Sequence, residues 1–220
     1  MTESQSREEI CRVGRSLFER GYVHATAGNI SVRLDDGFLI TPTDACLGFL
    51  DPATLAKVDL QGRQVGGAPA SKTLLLHRRI YEAHAPLAAV PRCVIHSHGT
   101  HCVALTLGDP QGELLPPITP YFVMKVGHVP VVPYRRPGAA EVGDLVADLV
   151  ARYAAAGTPL RAVMLTRLGP NVWHDSPGQA MAVLEELEET ARLWAMASPK
   201  PQPLDAAALD ELREAFGARW

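Results

Sequence analysis

Apolar positions along this chain recur with two different periods, and the change from one to the other marks out its elements. Ile10, Val13, Leu17 and Phe18 fall at helical spacing, which predicts an amphipathic helix over roughly residues 6–20, ending near Gly21. Asn29 to Leu34 and Gly37 to Thr41 instead alternate around Asp35-Asp36-Gly37, the pattern of a hairpin. A proline- and glycine-rich stretch follows, with a short helix expected after Asp51 and a strand near Val58. Leu74, Leu75, Ile80 and Tyr81 belong to a second helix that starts near Ser71. Arg92 to His98 reads as a strand, with Val94, His96 and His98 on one face and Cys93 and Ile95 on the other.

The second half continues in the same way. A short strand is expected at Val129 to Val132, flanked by prolines. Val142, Leu145, Val146, Leu149 and Tyr153 predict a helix over Ala139 to Ala155, and Arg161 to Thr166 is an apolar strand. Ser176 to Trp194 is the clearest helix. Ala180, Val183, Leu184, Leu187, Ala191 and Trp194 form its apolar stripe, and Glu185, Glu186, Glu188 and Glu189 an opposing acidic face. Pro199 to Pro203 reads as a linker and Asp205 to Phe216 as a terminal helix, so the expected division is a main domain over 1–198 and a C-terminal linker and helix over 199–220. Helices alternating with strands after an early hairpin imply an α/β sandwich around a mixed sheet.

Composition narrows the class without naming a function. The 220 residues suffice for one large core; 47% are hydrophobic and 20% charged, with a formal charge of -3. The charges are interspersed, so neither a nucleic-acid nor a membrane partner is expected. The polar N-terminus does not read as a signal peptide, and no apolar run nears the ~20 residues of a membrane span. Cys11, Cys46, Cys93 and Cys102 form no Cys-x-x-Cys pair, which points to a reducing cytoplasm.

Reactive side chains are densest at His96-Ser97-His98-Gly99-Thr100-His101, where histidines at i and i+2 on a strand could share one cation. Read with Thr26-Ala27-Gly28-Asn29-Ile30-Ser31, Thr41-Pro42-Thr43 and Ser71-Lys72, this order of motifs resembles the class II aldolase/adducin family over roughly residues 7–195. The segment Leu115 to Gly127 is most similar to its 3-oxo-tetronate 4-phosphate decarboxylase branch. The resemblance implies an α/β/α sandwich with a mixed, mainly antiparallel sheet. It also implies a homotetramer with active sites at subunit interfaces, a small-molecule substrate, and a divalent metal, usually zinc, held by three histidines. On this pattern His96 and His98 match the first two ligands, and Thr26, Gly28 and Asn29 the loop around the substrate's anionic end. Thr43, Ser71 and Lys72 match the remaining wall, and Tyr121 matches a catalytic phenol from near the interface.

Three positions depart from that pattern. The third histidine normally sits in a His-Gly motif after the late strand, where this chain has Leu168, which cannot coordinate a cation. His101, His128 and His174 are the available substitutes, and the sequence does not choose among them. The family's catalytic glutamate is replaced by Thr73, which cannot act as a base near neutral pH. Asp44 stands where a glycine is common in the phosphate cradle, and its charge would repel a phosphate unless Lys72 or an arginine compensates.

These changes leave several readings open. One is a lyase that decarboxylates or cleaves a small oxygenated substrate, with zinc, or manganese or iron in its place. A metal-free variant of the same reading uses His96, His98 and His101 as acid/base groups. Decarboxylation tolerates the loss of the glutamate better than aldol cleavage, because departing carbon dioxide already leaves the carbanion. Another reading is a non-catalytic homologue acting as a binding or scaffold protein. A last one is a non-haem iron site completed by a carboxylate, for which Asp175 beside His174 is the first place to look.

Overall fold

The computed structural model describes residues 1–220. Chain order gives α1 (Glu3–Glu19), β1 (Asn29–Arg33), β2 (Gly37–Ile40), β3 (Ala56–Asp59), β4 (Gln64–Gly66), α2 (Leu74–His84), β5 (Cys93–His96) and α3 (Thr100–Leu105). There follow β6 (Val131–Val132), α4 (Glu141–Ala155), β7 (Ala162–Leu165), β8 (Gly169–His174), α5 (Pro177–Met196) and α6 (Ala206–Phe216). The strands form one sheet in the order β4-β3-β2-β1-β5-β8-β7-β6, antiparallel throughout except for the parallel β6–β7 edge.

Alternation along each strand feeds two separate cores. Ile30, Val32, Leu39, Ile95, Met164 and Val172 meet Ile10, Val13 and Leu17 of α1 and Val183, Leu184 and Leu187 of α5 on one face. Phe38, Val58, Val94, Val163, Leu165 and Trp173 meet Ile80 and Tyr81 of α2 and Val142, Val146 and Val150 of α4 on the other. The result is the α/β/α sandwich with a mixed, mainly antiparallel sheet that the motifs imply.

Local chemistry sets the ends of the long helices. The Thr2 hydroxyl accepts from the Gln5 N–H while the Gln5 side chain accepts from the Thr2 N–H, a reciprocal cap that starts α1 at Glu3, earlier than the apolar period alone suggests. Ser176 caps α5 one way only, its hydroxyl accepting from the Gln179 N–H, and Pro177 opens the first turn. The acidic face expected on α5 is broken, because Glu188 is buried.

Other expectations shift by a few residues or change kind. The strand expected over Arg92 to His98 ends at His96, so His98 leaves the ladder and stands exposed past its end. The segment expected as a strand at Val129 to Val132 pairs only over Val131–Val132. Beyond the expected elements lie β4, α3, a π-helical turn at Phe122–Val126 and the central strand β8.

Between α2 and the sheet runs a buried polar chain. The single proton of Tyr81 Oη goes to the Ser31 carbonyl at 3.1 Å, so Ser31 Oγ donates to Tyr81 Oη and accepts from His77 Nδ1–H, each at 2.8 Å. This order leaves His77 Nε2 bare and without a partner in the interior. Burial first, and the neighbouring His96 second, lower the His77 pKa from 6.5 to about 3. The unfolded chain therefore takes up a proton below pH 6.5 that the folded chain refuses until about pH 3, so stability must fall as pH drops through that window. The contribution of His77 to the slope is up to ~1.4 kcal/mol per pH unit. Urea denaturation of His77→Gln between pH 6.5 and 4 should show a flatter dependence than the parent chain; an unchanged slope would contradict the neutral, buried assignment.

Candidate active site

The site forms where β1, β5 and β8 lie side by side. Asn29 stands opposite His96, and His96 opposite Asn171, so three polar side chains occupy one row on the α2 face of the sheet. All three are buried. His96 Nδ1 lies 3.0 Å from the Pro170 carbonyl. A carbonyl only accepts, so the proton is on Nδ1 and the Nε2 lone pair is left free. Burial, then the adjacent His98, push the His96 pKa down to about 4, although the Pro170 hydrogen bond opposes the shift; the ring is therefore neutral at pH 7.

Two glycines allow the neighbouring chains to close on the end of β5. Gly28 has φ +85°, and a Cβ there would lie 2.9 Å from the His96 carbonyl oxygen and 3.2 Å from a Val23 methyl. Gly169 has φ +134°, and its added Cβ would fall 1.9 Å from the Ser97 carbonyl oxygen. Both positions exclude any side chain. They hold the Thr26–Asn29 turn on one side of His96 and the Leu168–Pro170 turn on the other.

His98 extends the cluster outward. Its ring centroid is 5.1 Å from that of His96, inclined at 65°. A third imidazole meets it from the opposite wall: His24, exposed on the loop before Thr26, lies 6.4 Å from His98 in an edge-to-face arrangement. Partial covering of the ring, and then His24, lower the His98 pKa. Sequence reasoning passes over His24, because a loop histidine belongs to no periodic pattern and only the fold carries it to His98.

The remaining wall is polar. Asn29 Nδ2 donates to Thr73 Oγ1 at 3.3 Å and Ser71 Oγ donates to the same atom at 3.1 Å, while Asn29 Oδ1 has no partner. The Thr41 hydroxyl accepts from the Ile30 N–H at 3.3 Å. Thr43 N–H donates to the Pro69 carbonyl at 2.9 Å and Ser71 N–H to the Thr41 carbonyl at 3.3 Å, which places the 41–44 turn beside the 69–73 segment. Thr26, Thr43, Asp44 and Lys72 are exposed around this wall, Asp44 at φ +54°. The sequence-predicted residues Thr26, Gly28, Asn29, Thr43, Asp44, Ser71, Lys72, Thr73, His96 and His98 thus lie on four adjoining segments.

The other expected residues stand elsewhere. The buried Glu188 carboxylate accepts from the His101 N–H at 2.7 Å and the Cys102 N–H at 3.1 Å, and its Oε1 lies 2.9 Å from His101 Nδ1, so His101 turns to α5. His128 stacks on Trp220 with centroids 4.3 Å apart and faces Glu113. His174 Nδ1 accepts from the Asp175 N–H at 2.8 Å at the far end of β8, where His174 pairs with Cys93. Tyr121 is 60% exposed at the entrance to the π-helical turn and makes no ring contact with the histidines. Leu168 is partly buried against the apolar cluster under α2 and α4. Asn171, unmarked in the sequence, is fully buried with neither amide atom partnered. As the side chains stand, no three His, Cys, Asp or Glu groups are placed to hold a metal ion together. The chemistry of the donors suits one nonetheless: two adjacent imidazoles, one with its tautomer fixed by a backbone carbonyl.

Residues 8–195 match the family described as Class II Aldolase and Adducin N-terminal domain, and the chain belongs to it. It is 54% identical to the protein of Cupriavidus necator named 3-oxo-tetronate 4-phosphate decarboxylase, over 100% of this chain and 99% of that one. A protein of the same name from Escherichia coli K12 is 40% identical over 96% of each. Among solved structures, YgbL of Klebsiella pneumoniae superimposes with a TM-score of 0.86 at 40% identity, covering 97% of this chain and 100% of that one. An L-fuculose 1-phosphate aldolase at 21% identity and TM-score 0.78 shares the fold. The reaction named for the close relatives, decarboxylation, is a lyase activity.

The crowding around Gly169 gives a direct test of how the site is built. Gly169→Ala should destabilise the chain by at least ~2 kcal/mol, the backbone strain and the collision with Ser97 acting together. Chemical denaturation measures the loss, and a change below ~0.5 kcal/mol would mean that the two strands do not approach as described.

Proposed function

We propose that the chain decarboxylates a 3-oxo-tetronate 4-phosphate, working in the cytoplasm as a homo-oligomer. One observation carries the choice of decarboxylation over aldol cleavage: Thr73, in the position of the family's glutamate, is a hydroxyl held by Asn29 and Ser71. A hydroxyl does not remove a proton from carbon near neutral pH. Loss of carbon dioxide from a 3-oxo acid needs no base: the carbon–carboxylate bond breaks, its electron pair moves toward the oxo group to leave an enolate, and one proton delivered to carbon completes the ketone product. The identity with relatives named for that reaction supports the same choice.

The divalent metal that class II aldolases commonly use, usually zinc, would be held by His96 Nε2 and His98, where it supplies Lewis-acid polarisation of the oxo group. The chain's own residues do the rest. Asn29 presents its unpartnered Oδ1, and Thr73 its hydroxyl proton, to the substrate hydroxyls. Thr43, Ser71 and Lys72 receive the phosphate, with the Lys72 ammonium offsetting the charge of Asp44. Tyr121, exposed in the isolated chain, is the proton donor in this reading if a neighbouring subunit's site receives it. The four free cysteines accord with a cytoplasmic setting, and no helix is long and apolar enough to cross a membrane.

Carbon dioxide release from 3-oxo acids with and without the terminal phosphate tests the assignment. The phosphorylated acid should be the better substrate, and Lys72→Gln should raise its KM by roughly tenfold, equivalent to ~1.4 kcal/mol, while changing kcat little. Folded protein that releases no carbon dioxide from the phosphorylated acid would remove the proposal.

A further inference from the structure

We propose that His24 supplies the third imidazole of the cation site, in place of the histidine that Leu168 replaces. The inference rests on the reading of His96 and His98 as metal ligands and adds to it a residue that the family pattern does not mark.

Three observations lead there. First, the other histidines are committed elsewhere: His101 to the buried Glu188, His128 to Trp220 and Glu113, and His174 to the opposite end of β8. Second, His98, the outer of the two retained ligands, faces His24. The rings of His96, His98 and His24 follow one another at centroid separations of 5.1 and 6.4 Å with His98 in the middle, so His24 must turn across His98 toward His96 for the three to share a cation. Imidazoles bound through nitrogen to one zinc ion, each N about 2.0–2.1 Å from the metal, have ring centroids on the order of 5 Å apart. The first separation already meets that condition, and the second exceeds it by an amount that rotation of an exposed side chain can close. Third, His24 is exposed on the loop between Gly21 and Gly28, both at positive φ, and makes no hydrogen bond that such a rotation would break. Leu168, by contrast, is packed into the apolar cluster and leaves its side of the site without a donor.

Three imidazoles with an open fourth position form the donor set of a catalytic zinc site. The third ligand here would come from the loop on the β1 side, across the cluster from the turn that carries Leu168. The open position would then face the wall formed by Asn29 and Thr73, where substrate is read to bind.

Equilibrium dialysis with Zn2+ and titration with Co2+, followed by its visible absorption bands, test this without an activity assay. The parent chain should bind roughly one cation, with the intense band pattern of four-coordinate Co2+. Loss of an outer-shell partner already costs about 10–100-fold in metal affinity, so His24→Ala should cost at least ~100-fold. Circular dichroism should be unchanged, because the side chain is exposed. Adding Leu168→His to His24→Ala should restore binding, and His96→Ala with His98→Ala should abolish it. Binding that survives His24→Ala but is lost in the His96→Ala His98→Ala variant would overturn the role of His24 alone. A folded parent chain that binds neither cation would overturn both the role of His24 and the metal-holding role of the pair, leaving decarboxylation to be judged by carbon dioxide release.

Discussion

The end of β5 is enclosed from two sides at a distance that only glycine permits. Gly28 sets the β1 loop against the carbonyl of His96, and Gly169 sets the start of β8 against the carbonyl of Ser97. The same approach brings Pro170 to His96 Nδ1, fixes the tautomer and aims Nε2 outward. The Asn29–His96–Asn171 row, the position of Thr73 beside Asn29 and the emergence of His98 beyond the ladder all follow from that closure. A larger residue at either glycine would move a whole segment of wall, and with it every polar group that faces a ligand.

Much of the fold was legible because burial imposes a period on the sequence. The stripes of α1, α2, α4 and α5 and the hairpin of β1 and β2 stand out because each element turns one face to a core. β8 was not legible for the opposite reason: it is central, covered on both faces, and opens with Gly169 and Pro170, residues that ordinarily mark a turn. Pro170 is accommodated at the start of the strand, where it serves through its carbonyl. Edge pairing in β4 is too short to leave a pattern, and α3 contributes one buried residue.

The site divides along the same line. Residues on contiguous motifs, such as Thr26 to Asn29 and His96 to His98, could be placed from order and spacing, and the fold brings them together. What spacing could not foresee is how the ladder ends: His98 lies off the strand, yet its ring still meets that of His96. His24 and Asn171 carry no local signal, because their significance lies in what β5 brings opposite them. Glu188 misled in the other direction. Its place in an acidic run suggested a solvated face, whereas its carboxylate satisfies the first N–H groups of α3, an arrangement fixed by the packing of α5.

That buried carboxylate also makes the two walls of the site mechanically unequal. Through Glu188 the peptide just after His98 is moored to α5, the longest helix, so the His98 side is as stiff as the core behind it. The facing loop, which carries His24, is tied to α5 only near its start, where the Tyr22 hydroxyl donates to Glu189 at 3.1 Å, and the 24–26 stretch is exposed. Approach and departure of a small molecule are therefore expected past the exposed 24–26 stretch, with the strand end and its tethered histidine serving as the fixed jaw of a vice.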